Sequence, residues 1–347
     1  MFYKRILRPI FFICDPEFMH DFMVFCGEMF GAFPPARWLI SLVWGYRGKD
    51  IPKVVDGIKF ERPVLLSAGF DTDGRLSRIL QSISFGGEEV GSVTARPCEG
   101  NAPPRLTRLI RNKSLVVWKG LKNQGAKIIA ERLSHKNTAN GFVVGISIAQ
   151  TNDEKVRDAE SGLKDYYETF RIMNEKGAGD YYTINISCPN TFGGETFATP
   201  ELLTRLLTKL ATVSCDKPRY IKMPINLEWR EFNELLKIID RFGYDGVVIG
   251  NLNKKYSMLD FPEDAPREWR GGLSGKPCFE LSNELIRKTR EAYGARFTII
   301  GVGGIFTPND AMEKFRAGSD LVQLITGMIF SGPGLIKGIC DAYAKEY

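Results

Sequence analysis

Eight short apolar, β-rich runs, separated by longer stretches of helical periodicity, leave this chain few ways to fold. They lie at residues 64–68, 89–93, 142–148, 182–187, 220–223, 246–249, 297–301 and 321–325. Several are near-continuous hydrophobics, the pattern of strands buried on both faces of a parallel sheet. Eight such runs alternating with helices predict a (β/α)8 TIM barrel, assigned to residues 51–347. A doubly wound sheet would leave two or three of the runs spare. Two gaps, at about 94–141 and 250–296, are too long for one helix each. Both follow strand C-termini, the face on which barrel enzymes build their sites, and are read as active-face insertions.

Residues 1–50 form a separate helical extension and hold 12 of the 40 aromatic residues. Asp15-Pro16-Glu17 reads as an N-cap, a proline at the first helical position and an early acid. Behind it Phe18, Met19, Phe22, Met23, Phe25, Cys26, Met29 and Phe30 form a broad apolar face. Pro34-Pro35 ends this stretch, and residues 37–44 offer another short apolar segment. Glu28, the prolines and Arg37 interrupt the run before the roughly 18 apolar residues that a spanning helix needs. Two readings stand: a helical cap on the core, or an interfacial helical pair dipping into one leaflet. In the second, Lys4, Arg5 and Arg8 lie near anionic headgroups.

The 47 Lys+Arg against 41 Asp+Glu give a net charge of +6 and a pI of about 8.8. That suits an anionic ligand or a phospholipid surface and is too weak to argue for nucleic acid. The seven cysteines include no CxxC pair, and no signal peptide is recognised ahead of them. Reduced, cytosol-facing thiols are expected, with neither a disulfide framework nor a zinc site. His20 and His135 are the only histidines, so a His-based triad or metal site has few candidates and no metal is expected.

The candidate chemistry collects at the strand ends. Gly301-Val302-Gly303-Gly304 closes the seventh run and Thr326-Gly327 the eighth. Loops after these two strands commonly cradle phosphate on bare backbone N–H groups, although tight-turn glycines would read the same way. Lys222 closes the fifth run. A buried barrel strand has no wet edge for a lysine to snorkel to, so its ammonium is expected to meet a ligand or a carboxylate. A cation there could stabilise negative charge on a reduced flavin's pyrimidine ring. Asn185 and Asn190, in Asn-Ile-Ser-Cys-Pro-Asn-Thr at 185–191, and Asn251 offer amides suited to a planar ring with alternating C=O and N–H groups. Cys188 is the candidate proton acceptor, its plain alternative being a small buried hydrophobe.

These residues resemble the dihydroorotate dehydrogenase family. The resemblance rests on 185–191, Ser-Ala-Gly-Phe-Asp at 67–71, Gly-Ser-Val-Thr-Ala-Arg-Pro at 91–97, Gly-Gly-Leu-Ser-Gly at 271–275 and Gly-Val-Gly-Gly-Ile at 301–305. It extends to Asp15-Pro16-Glu17 and His20, which look like the membrane-associating helical pair of the quinone-dependent class. The resemblance implies an FMN barrel that oxidises dihydroorotate to orotate in pyrimidine synthesis and passes electrons to membrane quinone. The implied protein sits peripherally on the cytoplasmic face. Ala68, Gly69, Ser92, Ser147, Asn185, Lys222, Gly275, Gly303, Gly304, Thr326 and Gly327 would hold FMN. Asn185, Asn190 and Asn251 would hold the substrate ring, Cys188 would act as base, and His20 and Arg105 would flank a quinone tunnel.

The chain also departs from the family. Cys188 is the base of the soluble class, whereas quinone-dependent members usually carry serine. Thr72 and Val117 stand where the family has a lysine and an asparagine that contact substrate. Leu252 replaces a substrate-contacting threonine, Ser147 and Gly250 replace flavin-side Asn and Thr, and Ile325 replaces a tyrosine near the quinone path. Lys119, beside Gly120, is a candidate for the missing charge. The departures leave open a different cyclic amide substrate, a soluble oxidant such as fumarate, or a non-catalytic flavin- or phosphate-binding barrel on a membrane.

Overall fold

The computed structural model describes residues 3–134, 141–187, 197–266, 268 and 270–347. Three helices come first: α1 (Arg8–Ile13), α2 (Pro16–Ala32) and α3 (Pro34–Trp44). The Asp15 carboxylate caps α2 by accepting from the Glu17 and Phe18 amides at 3.0 and 2.8 Å. Pro34 and Pro35 do more than end α2, because proline fits the first turn of a helix and here also starts α3.

An antiparallel hairpin follows, β1 (Lys53–Val55) and β2 (Ile58–Phe60). The barrel strands are β3 (Val64–Leu66), β4 (Gly87–Val93), β7 (Val143–Ile148), β8 (Tyr181–Asn185), β9 (Arg219–Met223), β10 (Gly246–Ile249), β12 (Thr298–Val302) and β13 (Leu321–Leu324). They close in the order β10-β12-β13-β3-β4-β7-β8-β9, and every pair is parallel. Around them run α4 (Ser77–Leu80), α5 (Ala126–Ser134), α6 (Ala159–Glu175), α7 (Pro200–Leu210), α8 (Trp229–Arg241), α9 (Phe279–Tyr293), α10 (Pro308–Ala317), α11 (Thr326–Ser331) and α12 (Gly334–Glu346). All eight predicted runs are strands of this barrel.

Side chains that point inward form layers. At the N-terminal end Leu65, Val143, Tyr181, Tyr220, Val248, Ile300 and Leu321 pack with Val55 and Phe60 of the hairpin, which plugs the barrel. A polar layer follows, built from Glu89 on β4, Thr183 on β8, Lys222 on β9 and Gln323 on β13. Only the C-terminal end remains for a ligand.

The two long gaps are shorter insertions than the sequence suggests. Each ends in the ordinary barrel helix of its unit, α5 or α9, which leaves about 94–125 and 250–278 as added chain. The added segments join in one antiparallel sheet, β5 (Leu106–Leu109) and β6 (Ser114–Val117) with β11 (Gly272–Leu273). Helix α2 lies against α4, and Gly27 and Gly31 permit the approach. A Cβ on Gly27 would fall 2.5 Å from Leu76 Cδ2, and one on Gly31 3.3 Å from Arg78 Cβ.

Candidate active site

Barrel mouth, inserted sheet and helical extension together enclose a cavity of about 680 Å³. The volume is in the range of a site for a cofactor or other small ligand. Its floor is the polar layer and strand ends, and its roof is α2 and α3. Met19, His20, Met23, Cys26 and Phe30 come from α2, and Ile40 and Trp44 from α3. The apolar face seen in the sequence is therefore two faces. One lines this cavity, while Phe18, Phe22, Phe25 and Met29 point outward and stay exposed.

At the floor Lys222 is buried, with its ammonium 3.8 Å from Glu89 Oε1 and 3.4 Å from Ser67 Oγ. Glu89 Oε2 accepts from Thr183 Oγ1 at 2.9 Å and from Gln323 Nε2 at 3.1 Å. The expectation of a cation turned inward to meet a carboxylate thus agrees with the geometry.

Around the mouth the amides and hydroxyls form one chain. Asn185, the last residue of β8, donates from Nδ2 to Ser92 Oγ at 3.0 Å, and Ser92 Oγ lies 2.8 Å from Ser147 Oγ. Asn185 Oδ1 accepts from Asn251 Nδ2 and Ser187 Oγ, both at 3.3 Å, and Asn251 Nδ2 also donates to Ser187 Oγ. The Asn185 carbonyl accepts from Tyr166 at 2.7 Å, which fixes the strand end. Ser92, Asn185 and Asn251 line the cavity, whereas Ser147 touches it only through Ser92.

Glycines make room elsewhere along the cavity. Gly69 has φ +108°, and a Cβ there would meet nothing nearer than Ile325 Cδ1 at 3.8 Å, so bare backbone faces the cavity. Gly304 has φ +77° and abuts α9, where a Cβ would come within 2.8 Å of the Phe279 Cα. Ala68, Gly275, Gly303, Thr326 and Gly327 also line this space. Ser274 joins them, its Oγ 2.8 Å from Thr326 Oγ1. It is one residue from Gly275, in a motif whose serine the sequence reading passed over.

Cys188 and Asn190 lie outside the described residues, as does His135. His20 is on the cavity wall, its Nε2 2.8 Å from the Phe70 carbonyl and its Nδ1 2.9 Å from Asp21 Oδ1. That hydrogen bond holds the Asp21 carboxyl down at about 2. Lys119 also lines the cavity, and burial there pushes its ammonium down to about 8. Thr72, Val117, Leu252, Gly250 and Ile325, the departures noted in the sequence, also line the cavity.

Arg105 is not among the residues lining the cavity. Its guanidinium pairs with Glu17 at 2.6 Å and donates to the Asn101 and Glu99 carbonyls. Arg108 lines the cavity instead. Three positions along an extended chain reverse the face to which a side chain points, so Leu106 and Arg108 meet the cavity. Arg108 donates to the Cys14 carbonyl at 2.7 Å and stands over the Phe12 ring at 4.8 Å.

A parallel (β/α)8 barrel with a large cavity, a buried lysine and a relay of amides on its C-terminal face is built as a small-molecule enzyme of the barrel class. The dihydroorotate dehydrogenase family model matches residues 52–346. Among similar proteins, the dihydroorotate dehydrogenase (quinone) of Trichormus variabilis is 35% identical over 352 residues, covering 97% of this chain and 92% of the relative. That of Christiangramia forsetii is 34% identical over 342 residues, with 97% of each chain covered. The crystal structure of Eimeria tenella DHODH in complex with ferulenol superposes with a TM-score of 0.79 at 23% identity, covering 96% of this chain and 91% of that one. The chain belongs to the dihydroorotate dehydrogenase family.

Proposed function

We propose that this protein oxidises dihydroorotate to orotate on bound FMN and passes the electrons to quinone. The observation that carries the reading is the shared cavity. The polar relay of Ser92, Asn185, Ser187 and Asn251 opens into the same space as the apolar roof of α2 and α3. One end suits a cyclic amide, the other a lipophilic acceptor.

The residues fit FMN. The Gly303-Gly304 and Thr326-Gly327 backbones suit a phosphate, Gly69 leaves space for a flat ring, and Lys222 supplies a cation fixed by Glu89. FMN, when bound, supplies a ring that takes up the substrate's hydride and hands the electron pair on. The chain's own residues do the rest. Asn185 and Asn251 orient the substrate ring with Asn190, and Cys188, directly after Ser187, takes the ring proton as the hydride leaves. The roof excludes water and gives quinone an apolar approach.

Anaerobic titration of the purified holoenzyme with dihydroorotate tests this reading. Rapid loss of the oxidised flavin's visible absorbance, reversed by a soluble quinone, is the expected result. A flavin that dithionite reduces but dihydroorotate does not would sink it. A second reading, an uncharged cyclic amide as substrate, draws on Thr72, Val117 and Leu252, which add no charge to the wall. It predicts bleaching by such a compound and not by dihydroorotate.

No helix among the described residues is long and apolar enough to cross a membrane. Phe18, Phe22, Phe25, Phe33, Trp38, Leu42 and Val43 are nevertheless exposed on α2, α3 and the turn between them, and Lys4 and Arg5 ahead of α1 are exposed too. Exposed apolar side chains concentrated on two neighbouring helices suit an interaction site, and the exposed basic side chains of the same N-terminal extension suit an anionic leaflet. Each large apolar side chain withdrawn from water contributes about 1.5–3 kcal/mol. The double variant Phe25→Glu/Trp38→Glu is therefore expected to lower co-sedimentation with anionic vesicles by ~10²-fold or more. Equal sedimentation of variant and wild type would reject the membrane role.

A further inference from the structure

Dihydroorotate and orotate carry a carboxylate at neutral pH. Moving an anion into a largely apolar cavity is costly unless a cation with free donors meets it. Five basic side chains line this cavity among the described residues: Lys222, Arg108, Lys122, His20 and Lys119.

Four of them already face an acceptor of the protein. Lys222 has Glu89, Arg108 has the Cys14 carbonyl, and Lys122 lies 3.7 Å from Asp21. His20 sets its two ring nitrogens against the Asp21 carboxylate and the Phe70 carbonyl. The Phe70 carbonyl cannot donate, so Nε2 is the donor in that hydrogen bond.

Lys119 differs. Its one hydrogen-bond-range neighbour among the described residues is His20 Nε2, at 3.5 Å. That nitrogen's hydrogen is directed at Phe70, so it offers Lys119 no lone pair. The ammonium therefore brings N–H donors into the cavity with no acceptor among the described residues to receive them.

We propose that Lys119 holds the carboxylate of the substrate and so selects carboxylated over uncharged cyclic amides. The proposal rests on the reading of dihydroorotate as substrate. Thr72 and Val117 line the cavity with Lys119, and neither supplies a charge that would compete for this role.

A pH dependence follows from the position. Burial lowers Lys119 to about 8, against the pull of Asp21, Glu17 and Asp73, which raise it, while Lys122 lowers it further. An anion favours the charged form, so affinity for orotate is full below pH 8. Above it, affinity falls by up to about tenfold per pH unit as the free site loses its proton.

The test is binding of orotate and of its uncharged carboxamide to the holoenzyme by calorimetry, from pH 6.5 to 9. Wild type is expected to prefer orotate by roughly 10- to 10²-fold at pH 7. Lys119→Met should bring the two ligands to similar affinity by weakening orotate alone, with its melting temperature unchanged or raised. Lys119→Arg should keep the preference and lose the decline above pH 8, because a guanidinium stays charged. A preference for orotate that survives in Lys119→Met, or an equal loss of both ligands, overturns the role of Lys119. Wild type that binds the carboxamide and not orotate overturns the substrate reading itself.

Discussion

Cys188→Ala slows reduction of the bound flavin by dihydroorotate by about 10²- to 10⁴-fold, the usual contribution of a positioned general base. Binding of FMN and orotate stays near the wild-type level, because the amides assigned to the ring are untouched. The residue follows directly on Ser187, whose hydroxyl is bonded to both the Asn185 and Asn251 amides. A base there would be covalently tied to the groups that orient the ring whose proton it removes. Stopped-flow reduction under anaerobic conditions measures the step apart from the acceptor half-reaction. Cys188→Ser adds a second readout: a hydroxyl is far less acidic than a thiol, so the pH profile of reduction should shift with the base. Reduction of the alanine variant at the wild-type rate, with flavin bound, would remove Cys188 from the chemistry.

The parts of the fold that the sequence made legible share a physical cause. Strands buried on both faces must be apolar along nearly their whole length, so 142–148 and 246–249 stand out from any helical pattern. The strand reading is weakest where a strand departs from that rule. β4 starts at Gly87 and carries two successive buried acids, Glu88 and Glu89, where composition alone suggests a loop. Glu89 points into the polar layer with Lys222. Glu88 points outward and accepts from Ser77 on α4. Burial and the neighbouring Asp71 push its carboxyl well above the usual carboxylate range. Neither setting is visible before strand and helix are in contact.

The candidate site divides in the same way. Residues at strand ends, such as Asn185, Lys222, Asn251 and Thr326, were found because a barrel sends every strand C-terminus to one face. Arg105, given by the resemblance, and Arg108 carry no alternation in the sequence that distinguishes them. Once β5 pairs with β6, the two arginines separate, one into an ion pair with Glu17 and the other onto the cavity. Lys119 was legible only as a charge near the right loop. Its lack of an acceptor among the described residues depends on how His20, 99 residues earlier, directs its Nε2 at the Phe70 carbonyl.

Lys222 offers the sharpest test of the floor of the site, because it is coupled both to stability and to the cofactor. Its ammonium and the Glu89 carboxylate are almost wholly buried, at 7% and 0% side-chain exposure. Glu89 Oε2 has two neutral donors, while Oε1 has no hydrogen-bond partner among the described residues and faces only the lysine charge. Removing one member of a buried ion pair leaves the other desolvated and uncompensated, at a cost of about 3–5 kcal/mol. Lys222→Met should therefore lower the melting temperature by roughly 5–15 °C, given the steepness usual for a domain of this size. It should also release FMN, since the cation assigned to the pyrimidine ring is gone. The double variant Lys222→Met/Glu89→Gln separates the two effects. A neutral amide no longer needs the ammonium, so most of the lost stability returns, but the protein should remain colourless. Recovery of both stability and flavin would show that Lys222 serves the fold alone. A single variant that melts like wild type would mean that Glu89 does not depend on Lys222, and the floor of the site would have to be held together in another way.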